Sequence, residues 1–109
     1  MMKLFLNSQK GTHSAIAEYN KYGITVLAGS RINTIVTYNK IPSDVLEKRT
    51  DKNIVDENGV VKQNVVFASV SAAAQFVTGR SSNGYIAWRP DNKMSLKEYL
   101  RKGKKASDY

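Results

Sequence analysis

Apolar and polar residues change rhythm several times along this chain, and each change predicts an element. Leu4 to Leu6 is a short apolar run closed by a polar, glycine-containing break, which predicts a first strand and a turn. Ser14 to Tyr19, SAIAEY, reads as a second strand or as one helical turn, because its alanines suit both. GITVLAGS begins at a turn-forming Gly23 and is rich in β-branched residues, so a strand ending at Gly29 is expected, with Arg31 just past it. RINTIVTY is read as an extension of the sheet, although Ile32, Ile35 and Val36 mix with threonines without clean alternation.

At Ile41 the pattern turns helical: Ser43 is placed to cap, Val45, Leu46, Ile54 and Val55 supply apolar positions, and Asn58-Gly59 ends the element. VVKQNVVF returns to strand chemistry and leads to Ser69, the expected N-cap of a helix through Val70, Ala73, Ala74 and Val77 that stops at Gly79. Asn83-Gly84 is read as a turn into a strand YIAWRP, with Ile86 and Trp88 on one face and Pro90 as its stop. Ser95-Leu96-Lys97-Glu98 matches a capping box, so a last helix carries Leu96, Tyr99 and Leu100. The expected fold is α+β, a small single domain with a mainly antiparallel sheet of about five strands and about three helices. It occupies residues 1–100, and residues 101–109 are read as a basic tail.

Charge changes this picture by adding a partner. Lys and Arg number 17 against nine Asp and Glu, a net charge of +8, and residues 79–109 alone carry +5 of it. Such an excess is solvated or matched by an anion, and nucleic acid is the first candidate. The absence of cysteine removes disulfides and thiolate chemistry, and one histidine, His13, cannot build a multi-histidine metal site; no cofactor or metal is expected. The acidic residues cluster between Asp44 and Glu57, as on a solvated helix face, and no nucleophile–base pair or phosphate loop has a recognisable spacing. An enzyme is therefore not expected. The opening MMKLFLNSQKG has no signal-peptide core, and no run approaches the ~20 apolar residues of a membrane span, so the expectation is a cytoplasmic protein.

The residues with chemistry to offer lie mainly between Phe67 and Trp88. A helix starting at Ser69 leaves first-turn N–H groups to which Ser69 and Ser71 add hydroxyls, a setting for an anion, although an N-terminal serine more commonly caps its own helix. Arg80, Ser82 and Asn83 belong to a loop, RSSN, that offers guanidinium, hydroxyl and amide groups of the kind that grip phosphate and sugar oxygens; a solvated turn has the same composition. Trp88 reads as core, and Tyr85, alternating to the other face, is the better stacking surface for a base. Arg101, Lys102, Lys104 and Lys105 add sequence-independent attraction to a polyanion, or serve as a solubilising end.

With Gly23 to Val26 running into Gly29-Ser30-Arg31, with Phe67-Ala68-Ser69-Val70-Ser71-Ala72-Ala73-Ala74, and with Gly79 to Tyr85 followed by Trp88, the chain resembles the family called domain of unknown function 4357 over roughly residues 3–100. It is similar in motif to the domain associated with restriction enzymes and adenine methylases. The family pattern has Ser-Pro-Ser where this chain has Ser69-Val70-Ser71, and Trp after Asn-Gly where this chain has Tyr85. The missing proline reduces helix pre-organisation, while tyrosine keeps an aromatic surface. Such domains often follow GIY-YIG nuclease domains or occur in restriction-modification-associated proteins. The resemblance thus implies an accessory domain that recognises DNA, modified DNA included, rather than cutting it. The residues expected near the nucleic acid are Arg31, Ser69, Ser71, Arg80, Ser82 and Asn83, with Tyr85 against a base. The alternative is a small protein-interaction module, of phage or mobile-element type, that modulates or inhibits a nuclease, methylase or other DNA-processing or defence enzyme. DNA against RNA, strand order and oligomeric state stay open.

Overall fold

The computed structural model describes residues 2–37, 41–91 and 93–102. Its centre is a four-stranded antiparallel sheet in sequential order: β1 (Met2–Asn7), β2 (Ser14–Asn20), β3 (Gly23–Val26) and β4 (Val65–Phe67). The ambiguous SAIAEY segment is a strand because Leu4 opposite Ala17 and Leu6 opposite Ala15 form large–small pairs on the inner face, burying all four. The same face continues through Ile24 opposite Phe67 and Val26 opposite Val65, while Lys3, Ile16 and Val66 point outward.

Among the described residues four helices accompany the sheet: α1 (Ser43–Thr50), α2 (Val70–Thr78), α3 (Gly84–Ala87) and α4 (Leu96–Arg101). The hydrophobic spacing of α2 buries Val70, Ala73, Ala74, Phe76 and Val77, and the Phe76 ring meets that of Phe67 at 5.2 Å. Both expected ends hold: Ser69 Oγ accepts from the Ala72 amide at 3.1 Å, and Gly79, at φ 77°, donates its N–H to the Gln75 carbonyl. Ser95 likewise caps α4 by accepting from the Glu98 amide at 3.3 Å. No helix among the described residues is long and apolar enough to cross a membrane.

Two strands are shorter than expected, β3 ending at Val26 rather than Gly29 and β4 covering only Val65–Phe67 of VVKQNVVF, and three expectations need fuller correction. The helix read from Ser43 to Asn58 ends at Thr50, with Pro42 rather than Ser43 at the N-cap position. Beyond it, the Asp51 side chain accepts from the Asn53 amide, and Val55 bridges to Val61 around a turn in which Asp56 Oδ1 accepts from Asn58 and Val60. The apolar residues Ile54 and Val55 thus belong to a turn and a bridge, and their spacing after Leu46 only imitates a helix. The described part of the RINTIVTY segment, residues 31–37, is not a strand beyond the isolated bridges of Arg31 to Ser14 and Val60, and Tyr38 lies outside the described residues. It instead runs along the end of α2, where the Asn33 amide donates to the Val77 carbonyl and the Thr37 amide to the Gly79 carbonyl, each at 2.8 Å. Arg49 donates to the Phe76 and Asn33 carbonyls, so the carbonyls that a helix end leaves without intrahelical partners are met by tertiary donors.

The third correction concerns YIAWRP. Gly84–Ala87 is one helical turn, capped by Asn83 Oδ1 accepting from the Tyr85 amide at 3.0 Å, and only Arg89 pairs in extended fashion, with Phe5 of β1. The helical turn wins because Gly84 lies against the backbone of α2: a Cβ there would overlap the Val70 carbonyl and the Ser71 amide nitrogen. That approach lets the Trp88 indole N–H donate to the Val70 carbonyl at 3.0 Å, with the side chain fully buried. Among the described residues there are four strands and four helices, close to the about five and about three expected, and the basic segment expected after Leu100 begins with Arg101 inside α4.

Candidate functional site

An open cleft of about 550 Å³ lies between the β1–β2 loop and the C-terminal end of α2. Ser8 organises the loop wall: its Oγ accepts from the Thr12 amide at 2.7 Å and the His13 amide at 3.3 Å, and its own amide donates to the His13 carbonyl at 3.1 Å. This compact loop presents Lys10, Thr12 and His13 to the cleft. Arg31 supports it from outside, donating to the Gly11 carbonyl at 2.7 Å.

Thr78, Arg80 and Ser82 form the opposite wall. The Thr78 and Ser82 hydroxyls lie 2.9 Å apart and both reach the Arg80 carbonyl at 3.2 Å, a small ring that fixes the backbone carrying the exposed Arg80 side chain. Asn33, Leu6, Asn7 and Ala87 complete the surface.

The lining is polar and cationic. Among the twelve residues that border the cleft there is no Asp or Glu, whereas Lys10, Arg80 and His13 are all there. His13 is only 6% exposed, and burial, followed by the charges of Arg80 and Arg31, holds its imidazole below the usual histidine range. The ring is therefore neutral at physiological pH, with Nδ1 sharing a 3.1 Å hydrogen bond with Thr12 Oγ1. Such an arrangement attracts anions, because the positive potential is not offset inside the concavity. By contrast, a smaller concavity of about 150 Å³ beside α1 mixes Arg49 and Lys52 with Asp56 and Glu57, so its charges offset one another. Among the described residues no cluster of His, Asp and Glu has the makings of a metal site.

The expected binding residues are thereby divided. Arg80 and Ser82 line the cleft and Arg31 braces it, whereas Ser69, Ser71, Asn83 and Tyr85 are not among its lining residues and belong to the start of α2 and the start of α3 packed beside it. There the polar atoms have structural partners: Ser69 and Asn83 cap helices, and Ser71 Oγ accepts from the Gly84 amide at 3.0 Å. Tyr85 is 43% exposed and its hydroxyl engages that of Tyr19, which burial and this neighbour raise above the usual tyrosine range. Arg101 and Lys102 are exposed at the end of α4, apart from the cleft lining, and Lys104 and Lys105 lie outside the described residues. Lys10, Asn33 and Thr78 were missed and His13 was set aside, because a basic residue in a glycine-containing turn reveals nothing of which wall it will face.

The sequence model of the family described as domain of unknown function (DUF4357) matches residues 4–100. The chain belongs to this family. In the DUF4357 fold seen here, the Gly79–Trp88 signature divides its tasks: Gly79 ends α2, Asn83 caps α3, Gly84 and Trp88 lock α3 to α2, and Arg80 and Ser82 face the cleft. No curated protein and no solved structure matches the chain.

Proposed function

We propose that this DUF4357 protein is a non-enzymatic accessory domain that binds nucleic acid, with DNA as its ligand and modified DNA within its range, alongside restriction-modification or mobile-element enzymes. The observation that supports this reading is the carboxylate-free cleft with Lys10, Arg80 and His13 in its walls. Phosphate contacts from Lys and Arg supply the sequence-independent part of affinity, while the amides of Asn7, Gln9 and Asn33 offer donors and acceptors of the kind that read base edges. The cleft rather than the start of α2 takes the backbone in this proposal, because the serine acceptors at that start are already engaged.

The test is binding of the purified protein to single-stranded, duplex and adenine-methylated DNA across a salt series. Binding that weakens with salt and weakens further on Arg80→Gln supports the reading. Unchanged affinity for every DNA after Arg80→Gln counts against it. A second reading, an interaction module for a nuclease, methylase or defence enzyme, draws on the outward Ile16 and the 67% exposed Val66 on the sheet. One stoichiometric protein partner retained after nuclease treatment would favour that reading.

A further inference from the structure

His13 is the only histidine of the chain, and its position gives the cleft a property beyond positive charge. It sits in the wall with its backbone held by Ser8 and its ring by Thr12. The residues that line the cleft with it are Ser8, Gln9, Lys10 and Thr12 from its own loop, Leu6 and Asn7 from β1, Asn33, Thr78 at the end of α2, Arg80 and Ser82 just beyond that end, and Ala87 of α3. Arg31 adds its charge from behind the loop. Among the described residues that line this space there is no carboxylate, so no negative charge of theirs stabilises a proton on the imidazole until an anion enters.

We infer that the cleft is a proton-linked phosphate site, in which a phosphate group lodges between His13, Arg80 and Lys10 and the His13 ring takes up a proton as it arrives. This rests on the nucleic-acid reading only in naming a phosphodiester as the source of the phosphate. The proton comes from solvent, and no covalent bond is made or broken. The Thr12 hydroxyl donates to Ser8 Oγ at 3.0 Å and is thereby placed to accept from the Nδ1–H of the ring, in the neutral Nδ1–H tautomer and in the charged form alike, which leaves Nε2 as the atom that takes up the proton. In the free protein burial and the neighbouring guanidiniums disfavour the charged ring; a phosphate oxygen beside it reverses the balance. A cleft of about 550 Å³ exceeds the size of one ion, so the rest of a nucleotide unit has room beside the amides of Asn7 and Asn33.

The lone histidine makes the test direct, because one imidazole signal reports on this site alone. The ring would be titrated by NMR in the full chain from pH 5 to 8.5, free, with inorganic phosphate, and with an oligothymidine lacking terminal phosphates, whose charge is constant over that range. The expected result is that saturating oligothymidine raises the His13 pKa by about one unit or more, and that its affinity rises about tenfold from pH 8 to pH 5.5. His13→Gln flattens this pH dependence, and Arg80→Gln, at an exposed position, diminishes the pKa rise. Oligothymidine binding with an unmoved His13 signal overturns the inference and leaves the nucleic-acid reading standing. Failure of oligothymidine to bind at any pH removes that reading, whereas inorganic phosphate still raising the His13 pKa supports the phosphate site with a free phosphate as its source. No movement with either ligand overturns the site itself.

Discussion

The two ends of α2 are built from neighbouring stretches of one signature, yet they are put to different uses. At the N-terminal end Ser69 accepts from the Ala72 amide, Ser71 accepts from the Gly84 amide and Trp88 donates to the Val70 carbonyl, which leaves little for a ligand. At the C-terminal end the backbone carbonyls are met by Arg49 and by the amides of Asn33 and Thr37. The side chains of Arg80 and Lys10 are then not needed for the helix end and remain exposed. What separates a structural polar residue from an available one is whether tertiary neighbours have already supplied its partner.

The sharpest way to break this comparison is Trp88→Ala. It empties a fully buried site and leaves the Val70 carbonyl without its indole donor, so a loss of about 4 kcal/mol in stability is expected by urea denaturation. A loss below about 1 kcal/mol would dissolve the N-terminal junction as a structural unit. Next comes Gly84→Ala, whose added methyl group meets backbone atoms that cannot rotate away; about 3 kcal/mol is expected, with a lowered thermal midpoint as the readout.

Smaller in stability but decisive for the other end is Lys10→Gln with Arg80→Gln. Both residues are exposed, so folding stability should move by no more than about 0.5 kcal/mol, while the slope of log affinity for DNA against log salt falls by about two. Loss of folding in this double variant would erase the contrast between the two ends.

The smallest effect is a pH dependence of stability through His13. Its folded-state pKa lies below the ordinary 6.5, so the unfolded chain binds more protons in the interval between the two values. The contribution is fully present above about pH 6.5 and declines as pH falls from there toward the folded-state pKa. Denaturation midpoints compared between the parent and His13→Gln should diverge only on that acidic side.

Much of the fold is legible where a local signal and tertiary packing agree. The apolar alternation of β1, the β-branched content of β3, the caps Ser69 and Gly79 of α2, and the Ser95 capping box all name their elements correctly. The failures occur where a residue's partner is remote. Ile54 and Val55 keep a helical spacing but are claimed by the turn and bridge that Asp56 stabilises. YIAW alternates like a strand, but burial of Trp88 against Val70 requires a helical turn. In the cleft, Arg80 and Ser82 were visible as a polar loop, whereas Lys10 and His13 join them through packing of the β1–β2 loop against the end of α2.

By itself the sequence determined the α+β class, the antiparallel strands, the capped helix at the centre and the excess of positive charge. These follow from periodicity, capping chemistry and composition, which act over a few residues or over the chain as a whole. Only the tertiary structure decided that RINTIVTY would satisfy a helix end rather than a sheet, that Trp88 would lock α3 onto α2, and that cations distant in sequence would share a cleft without a carboxylate. The physical reason is that a hydrogen bond or a charge has its effect from the partner it meets, and those partners are supplied by contacts between segments that local sequence does not encode.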